Sequence, residues 1–447
     1  MQKLAQNLKA LRLGDVAVRR NPIYYSPARA QLEALERADA ATRRDWTAAR
    51  LAETLWSARR SPYGRRMRGS RELASWPLLD KATVRADPAA FLGGAPFFTA
   101  RASTGGTAGA PLPLARSLRS VVFEQACLDR MMGLLGVDAS SARIAVLRGD
   151  NVKDPSDFSP PYWRFVAGGR RMVLSSNHLN AATVASYAQA LEDFAPDLLW
   201  AYPTALESLC VQLERTGRRL ALARVMTSSE VLRPGVWRFA ERTLGCRLLD
   251  YYGQAERVAF ACALAPGEYR FLPGYAHVEL VPVEADGADT LYEIVGTPLW
   301  NRAMPLVRYR TGDLVRLPAA WGEREIEDTT LGLRSFAGVL GRDSDILISP
   351  DGVRLTGIDH FQRDVANLMR IQVIQESTTE VRILVLAGER FGESDAAQLL
   401  ANARRKLPAS MRVGLERVEA LERTGLGKTP FVIHRSAVKA LLQAAAA

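Results

Sequence analysis

Apolar positions fall at helical spacing through the first part of the chain, as in Leu32-Glu33-Ala34-Leu35 and in the run from Ala48 to Trp56, so residues up to about 95 read as helices. A Gly/Pro-rich turn precedes another helical stretch at 115–135. Short apolar runs then alternate with helical segments. Ile144-Ala145-Val146-Leu147, Leu198-Leu199-Trp200-Ala201, Arg224-Val225-Met226-Thr227 and Arg247-Leu248-Leu249-Asp250 read as strands. Residues 180–194, 204–216 (ending near Gly217) and 234–244 read as the helices between them. Such alternation predicts a layered βαβ sheet, whose binding sites lie beyond the C-terminal ends of its strands.

From about residue 270 the rhythm changes. Strand-like stretches at 278–281, 291–295 and 306–316 follow one another without long helices. The last hundred residues predict a smaller α+β unit, with helices near 358–368 and 394–406 and strands near 371–376, 381–386 and 412–420. The fold class expected is α/β, with a large N-terminal domain over 1–343 and a small C-terminal α+β domain over 344–447.

Composition narrows the function classes. No apolar run approaches the length of a bilayer span, and the first residues lack the apolar core of a signal peptide, so a cytoplasmic protein without a membrane partner is expected. The net charge of +11 suits anionic ligands, but the Arg residues are scattered and no nucleic-acid-binding signature accompanies them. A nucleic-acid partner is therefore not expected, and a non-catalytic or nucleic-acid-binding protein is only a minor alternative. Cys127, Cys210, Cys246 and Cys262 form no CxxC pair, and His178, His277, His360 and His434 are far apart. Neither a disulfide framework nor a zinc site follows, and buried reduced thiols are expected.

Five phrases carry candidate chemistry. Ser103-Thr104-Gly105-Gly106-Thr107 opens a loop of hydroxyls and glycines that could cradle phosphate, or could be an ordinary surface loop. Asp250-Tyr251-Tyr252-Gly253-Gln254-Ala255-Glu256 follows a predicted strand; its aromatics could stack on a base and its Glu could hold Mg²⁺. Tyr309-Arg310-Thr311-Gly312-Asp313 places a carboxylate just past a Gly turn at a strand end, where it could accept both hydroxyls of a ribose, though such a phrase also makes a plain turn. Gly341-Arg342-Asp343-Ser344-Asp345 is a charged turn where the architecture changes. Arg423-Thr424-Gly425-Leu426-Gly427-Lys428 puts one Lys in a glycine-bounded loop.

In that order the five phrases resemble the core motifs of the adenylate-forming superfamily, the acyl-CoA synthetases, luciferases and peptide-synthetase adenylation domains. The chain looks most like the phenylacetate–CoA ligase branch and, within it, the CapK / coenzyme F390 synthetase-like proteins. Tyr202-Pro203-Thr204-Ala205-Leu206-Glu207, Thr227-Ser228-Ser229-Glu230 and Asn301-Arg302-Ala303-Met304-Pro305-Leu306 point there. The resemblance implies an ATP-dependent ligase that joins a carboxylate to AMP, releases pyrophosphate and passes the acyl group on. The acid implied is aromatic or arylacetic and the acceptor CoA, with an amine or a carrier-protein thiol as the alternative. Mg²⁺ is the implied metal, and a monomer or homodimer the implied assembly.

Carried over by position, Ser103, Thr104, Gly105, Gly106 and Thr107 would hold the β- and γ-phosphates. Glu256 would stand near Mg²⁺, Tyr252 and Gly253 would border adenine and acyl group, and Asp313 would bind the ribose with help from Arg342. Ser229, Glu230 and Tyr251 complete the nucleotide-facing set. Lys428 would bridge the α-phosphate and the carboxylate, carried in and out by a mobile C-terminal domain hinged near Ser344. The acyl pocket would draw on Tyr162, Trp163, Tyr202 and Ser228. Ala110, Ala255 and Ser344 depart from the pattern where relatives carry Lys, Thr, and Asp or Lys, so part of the phosphate grip is missing.

Overall fold

The computed structural model describes residues 18–67, 71–93, 99–104, 112–148, 152–153, 157, 159–176, 178–342, 347–350, 354–355, 358–362, 365–423, 429–436 and 438. The chain divides into two compact units, Met1–Val339 and Leu340–Ala447.

The larger unit begins with helices α1 (Pro22–Arg37), α2 (Ala40–Ala58), α3 (Pro62–Arg66) and α4 (Lys81–Ala86). Asp39 caps α2 by accepting the Thr42 N–H at 2.9 Å, and Asp80 caps α4 through the Thr83 N–H at 2.7 Å. An antiparallel hairpin, β1 (Thr99–Ser103) and β2 (Pro113–Ser117), comes next. Its second strand occupies the start of the helix expected at 115–135. Ser117 then caps the helix proper, α5 (Leu118–Leu134), accepting from the Ser120 N–H.

Eight strands form the main sheet. They are β3 (Ile144–Arg148), β4 (Trp163–Val166), β5 (Arg171–Ser175), β6 (Leu198–Ala201), β7 (Arg224–Ser228), β8 (Arg247–Gly253), β9 (Phe260–Ala263) and β10 (Arg270–Phe271). Their order across the sheet is β10-β9-β8-β7-β6-β3-β5-β4. The central five strands are parallel; β4 and β9 run against them, and β10, antiparallel to β9, runs with them again. Helices α6 (Val184–Phe194), α7 (Pro203–Thr216) and α8 (Pro234–Leu244) supply crossovers. Strands β3 and β6 are buried on both faces, which is why they read as unbroken apolar runs. One cluster of buried side chains joins the sheet to these helices.

A second, antiparallel sheet carries β11 (Ala276–Asp286), β12 (Asp289–Pro298) and β13 (Tyr309–Pro318). Helix α9 (Glu323–Thr330) follows, and a short strand, β14 (Val339–Arg342), lies where the chain passes from one unit to the other. Gly296 lets β12 approach the loop after β8. A Cβ there would lie 1.9 Å from the Val258 carbonyl oxygen.

The smaller unit holds the hairpin β15 (Leu347–Ile348) with β16 (Arg354–Leu355), and a four-stranded sheet ordered β19-β18-β17-β20. These strands are β17 (Leu368–Ser377), β18 (Glu380–Ala387), β19 (Arg412–Arg417) and β20 (Val432–His434). Helix α10 (Glu393–Lys406) buries Leu399 and Ala403 in a core of Leu347, Phe361, Ile371, Val381 and Ile383. Among the described residues, a 3₁₀ turn, Ile358–Gln362, stands where a helix over 358–368 was expected. Asn367 is left-handed (φ 53°) and Leu368 already begins β17, so no helix can extend that far.

Among the described residues no helix is long and apolar enough to cross a membrane. Cys127, Cys210 and Cys246 are buried free thiols, and Cys262 is half-buried. Burial pushes the Cys246 and Cys262 thiols up to about 12, so they stay protonated and inert.

Candidate functional site

The Thr-Gly-Asp phrase is neither a turn nor a strand end. It is a bulge inside β13. Glu293 of β12 faces Leu314 and Val295 faces Arg310, so Thr311, Gly312 and Asp313 arch over the single residue Ile294. Gly312 supplies the left-handed step (φ 71°). The arch is bonded from within. Thr311 Oγ1 donates to the Ile294 carbonyl at 2.7 Å and accepts the Asp313 N–H at 3.0 Å. Buried Glu293 accepts the Gly312 N–H at 3.1 Å and takes Arg310 at 2.6–2.8 Å. Asp313 is thereby fixed to face inward, 6% exposed.

The Tyr-Gly-x-x-Glu phrase interlocks with this bulge at two points. Tyr252, at the end of β8, donates its hydroxyl to Asp313 Oδ2 at 2.6 Å. Burial and the Asp313 charge hold the Tyr252 phenol well above its usual range, so it remains a donor. Gln254 donates to the Tyr252 oxygen and accepts the Ala259 N–H at 3.2 Å, which fixes the ring. Glu256, 8% exposed, accepts from the Tyr309 hydroxyl at 2.9 Å, and the Lys81 ammonium stands 3.6 Å from the same oxygen. Lys81 is placed there because Leu79 pairs in parallel with Tyr309, exchanging backbone bonds with Arg308 and Arg310 at 2.9 Å.

The hydroxyl/Gly loop springs from the β1–β2 hairpin. Its base is closed by Thr104, whose N–H donates to the Leu112 carbonyl at 3.1 Å and whose Oγ1 accepts the Leu112 N–H at 2.9 Å. Arg116 of β2 donates to the Ala255 carbonyl at 2.6 Å. Leu112 and Leu114 share one apolar cluster with Leu79, Val258 and Tyr309, with Ala102 and Ala255 packed against it. The three motifs therefore converge. Ser103 ends β1, and Gly253 ends β8.

A second group lines the C-terminal rim of the main sheet. Ser228 accepts the Trp200 indole N–H at 3.2 Å, and Trp200 tilts against Tyr251 with ring centroids 6.1 Å apart. Tyr251 stacks on Phe260 at 5.1 Å. Ser229 is left-handed (φ 72°), and Glu230 accepts the Thr204 N–H at 3.0 Å at the start of α7. Tyr202 stands at the rim beside it. Tyr162 lies deeper, stacked on Tyr187 at 5.5 Å and beside His178, with Trp163 edge-on to Tyr187. Beneath the rim, Asp250 is buried between the Thr227 and Tyr269 hydroxyls, each donating at 2.5 Å, and burial pushes its carboxyl up to about 7.

Gly105, Gly106, Thr107, Ala110, Ser344 and Lys428 lie outside the described residues, as does the side chain of Arg342. Sequence reasoning passed over Lys81, Gln254, Tyr309, Trp200 and Arg148. For Arg148 a signal existed: a charge closing the apolar run Ile144–Leu147. Lys81 is legible only through pairing that is remote in sequence.

Among the described residues no group of three or more His, Cys, Asp and Glu could cage a metal. A lone buried carboxylate such as Glu256 fits Mg²⁺, which takes one or two protein carboxylates and completes its shell with phosphate oxygens and water.

Known proteins give the same outline. The AMP-binding enzyme family matches residues 159–323, and the CapK C-terminal domain family matches residues 347–435. A phenylacetate–coenzyme A ligase of Pseudomonas putida is 29% identical over 222 residues, 47% of this chain and 47% of that protein. The chain thus spans about half the length of that relative. Protein CapK of Staphylococcus aureus is 20% identical over 344 residues, covering 74% of this chain and 73% of its own. Among solved structures, a 2-hydroxyisobutyryl-CoA ligase in the postadenylation state superposes with a TM-score of 0.59 at 15% identity, over 89% of this chain and 91% of that one. That likeness concerns the fold.

Proposed function

For a chain that belongs to the adenylate-forming superfamily, in its phenylacetate–CoA ligase and CapK branch, we propose ATP-dependent activation of a carboxylic acid to an acyl-adenylate, followed by transfer to CoA. The observation that carries this reading is the double interlock of two motifs more than fifty residues apart, Tyr252 with Asp313 and Tyr309 with Glu256. It supports the reading by joining the proposed ribose acceptor and the proposed metal carboxylate to the cluster that holds Leu112, at the foot of the hydroxyl/Gly loop.

In the first step a substrate carboxylate oxygen attacks the α-phosphorus of ATP. An acyl O–P bond forms, the bond to the β-phosphate bridge breaks and pyrophosphate leaves. Asp313, held inward by its bulge, accepts the ribose hydroxyls, and Arg342 assists. Ser103, Thr104, Gly105, Gly106 and Thr107 hold the β- and γ-phosphates; the Thr104–Leu112 clamp fixes the root of that loop. Glu256 would hold Mg²⁺, which supplies charge neutralisation between the phosphates. Lys81 adds a cation beside Glu256, where Ala110 leaves the loop without one. Two anions must approach, so Lys428 bridges the α-phosphate and the carboxylate to offset their repulsion. In the second step a thiolate sulfur attacks the acyl carbonyl and AMP departs. On this reading the domain expected over 1–343 provides ATP and acid binding, and that over 344–447 delivers Lys428 about a hinge near Ser344.

The rim aromatics favour a flat, aromatic or arylacetic acid. Acid-dependent ATP–pyrophosphate exchange is the test, with thioester analysis after CoA is added. Lys428→Ala should lower exchange by about 100-fold or more while nucleotide binding persists. Exchange that is independent of Lys428 would sink its assigned role. Adenylate that accumulates in the presence of CoA but is consumed by an amine or a carrier protein would move the acceptor to that class.

A further inference from the structure

Resting on the adenylation reading above, we propose that Gln372 is a positioning residue for Lys428, closing the loop that carries the lysine and so serving adenylation rather than transfer. Ile371-Gln372-Val373 lies in the middle of β17. Ile371 and Val373 enter the core of the smaller unit, so Gln372 lies on the other face of the sheet, and Arg370 shares that face. Gln372 is nonetheless fully buried. A buried amide is costly unless its polar atoms are bonded, and these are bonded to one segment alone. Nε2 donates to the Glu422 carbonyl at 2.9 Å and to the Pro430 carbonyl at 2.8 Å, and Oε1 accepts the Glu422 N–H at 2.8 Å.

Glu422 and Pro430 are the two feet of the loop that contains Lys428, and one side-chain amide holds both. Arg370 adds a bond to the carbonyl of Thr429, the residue after the lysine, at 3.1 Å. Arg435, just past β20, grips the Glu422 carboxylate with two bonds at 3.1 and 2.8 Å. Backbone pairing of β17 with β20 starts only beyond the loop, where the Val373 N–H donates to the Phe431 carbonyl at 2.9 Å. Pro430 has no N–H to extend it, and its carbonyl goes to Gln372. An apolar chain in place of Gln372 would strand three buried backbone groups at the feet, which then shift to find partners. Lys428 must meet two approaching anions at once, and misplacement by about 1 Å can cost on the order of a hundredfold in rate. Gln375 is a matched control. It lies on the same strand and is as deeply buried, yet it bonds the Ile348 N–H at 2.9 Å and the Ile348 carbonyl at 2.5 Å, holding the β15 hairpin instead.

The two half-reactions of the full chain decide the matter. Adenylation is read as pyrophosphate exchange over a panel of benzoates and phenylacetates. Transfer is read as consumption of the matching synthetic acyl-adenylate by CoA, or by an amine where CoA is inert. Gln372→Met should lower kcat for exchange by about tenfold or more, with KM for ATP and the transfer rate unchanged. Gln375→Met should leave the ratio of the two half-reactions as in the wild type. An exchange kcat unchanged in Gln372→Met overturns the proposal. So does an equal loss of both half-reactions, or the same change of ratio in Gln375→Met; each would make Gln372 a stabiliser of the smaller unit only. If Gln372→Met fails to fold, Glu422→Ala frees the same foot from Arg435. Lowered exchange with intact transfer then supports the proposal, and an unchanged ratio overturns it. Absence of exchange with every acid in the wild-type chain overturns the adenylation reading itself, a failure distinct from an unchanged ratio.

Discussion

Asp250 carries no role in the proposed chemistry, yet it is the most perturbed acid beneath the site. Its carboxyl, ordinarily near 3.8, rises to about 7 because burial penalises the charge more than the Thr227 and Tyr269 hydroxyls repay it. The folded state therefore holds a proton that the unfolded chain gives up earlier. Stability from this group is complete below about pH 4 and is lost as pH rises through about 7. Asp250→Asn keeps the shape and removes the titration. Relative to that variant, the wild-type chain should lose on the order of 2–4 kcal/mol between those limits, read from unfolding curves at several pH values. A pH-independent difference would reject the buried-proton account.

At the scale of elements, the parts legible in the sequence were those with strong local signals. The strands β3, β6, β7 and β8 are short apolar runs beside helices and were found; β4 and β5, between Trp163 and Ser175, were not. The β1–β2 hairpin was not, because Thr99-Ala100-Arg101-Ala102-Ser103 is nearly exposed and carries no apolar alternation. The strand expected from 306 begins only at Tyr309, since Arg308 is left-handed (φ 51°). Sequence order identified the motifs but not their contacts; Lys81 meets Glu256 through strand pairing that no local pattern encodes. The fit of β12 against the loop after β8 is equally silent. Gly296→Ala would drive a methyl into the Val258 carbonyl, and should cost about 1–3 kcal/mol or more by chemical denaturation while also loosening Glu256 two residues earlier. An unchanged midpoint would mean that the two segments separate freely.

On the proposed reading the whole molecule divides its labour. The second unit has its own core around Phe361, Ile371, Val381 and Leu399, so a fragment over 344–447 should unfold cooperatively by circular dichroism. A fragment over 1–343 keeps Asp313, Tyr252 and Glu256 but lacks Lys428. It should bind ATP in calorimetry and give no pyrophosphate exchange; exchange by that fragment would remove Lys428 from the chemistry. Folding and binding are separable on a smaller scale too. Three residues of β13 span one of β12, a surplus of two, and two is the parity of a strand. Tyr309, Val315 and Leu317 all stay buried on either side of the arch. Losing one residue from it would turn Val315 and Leu317 out to solvent and unmake the sheet. Losing two would restore an ordinary ladder, a protein that folds with nothing to hold a ribose. The carboxylate is thus an insertion the sheet can do without, and on the proposed reading it serves a ligand rather than the fold.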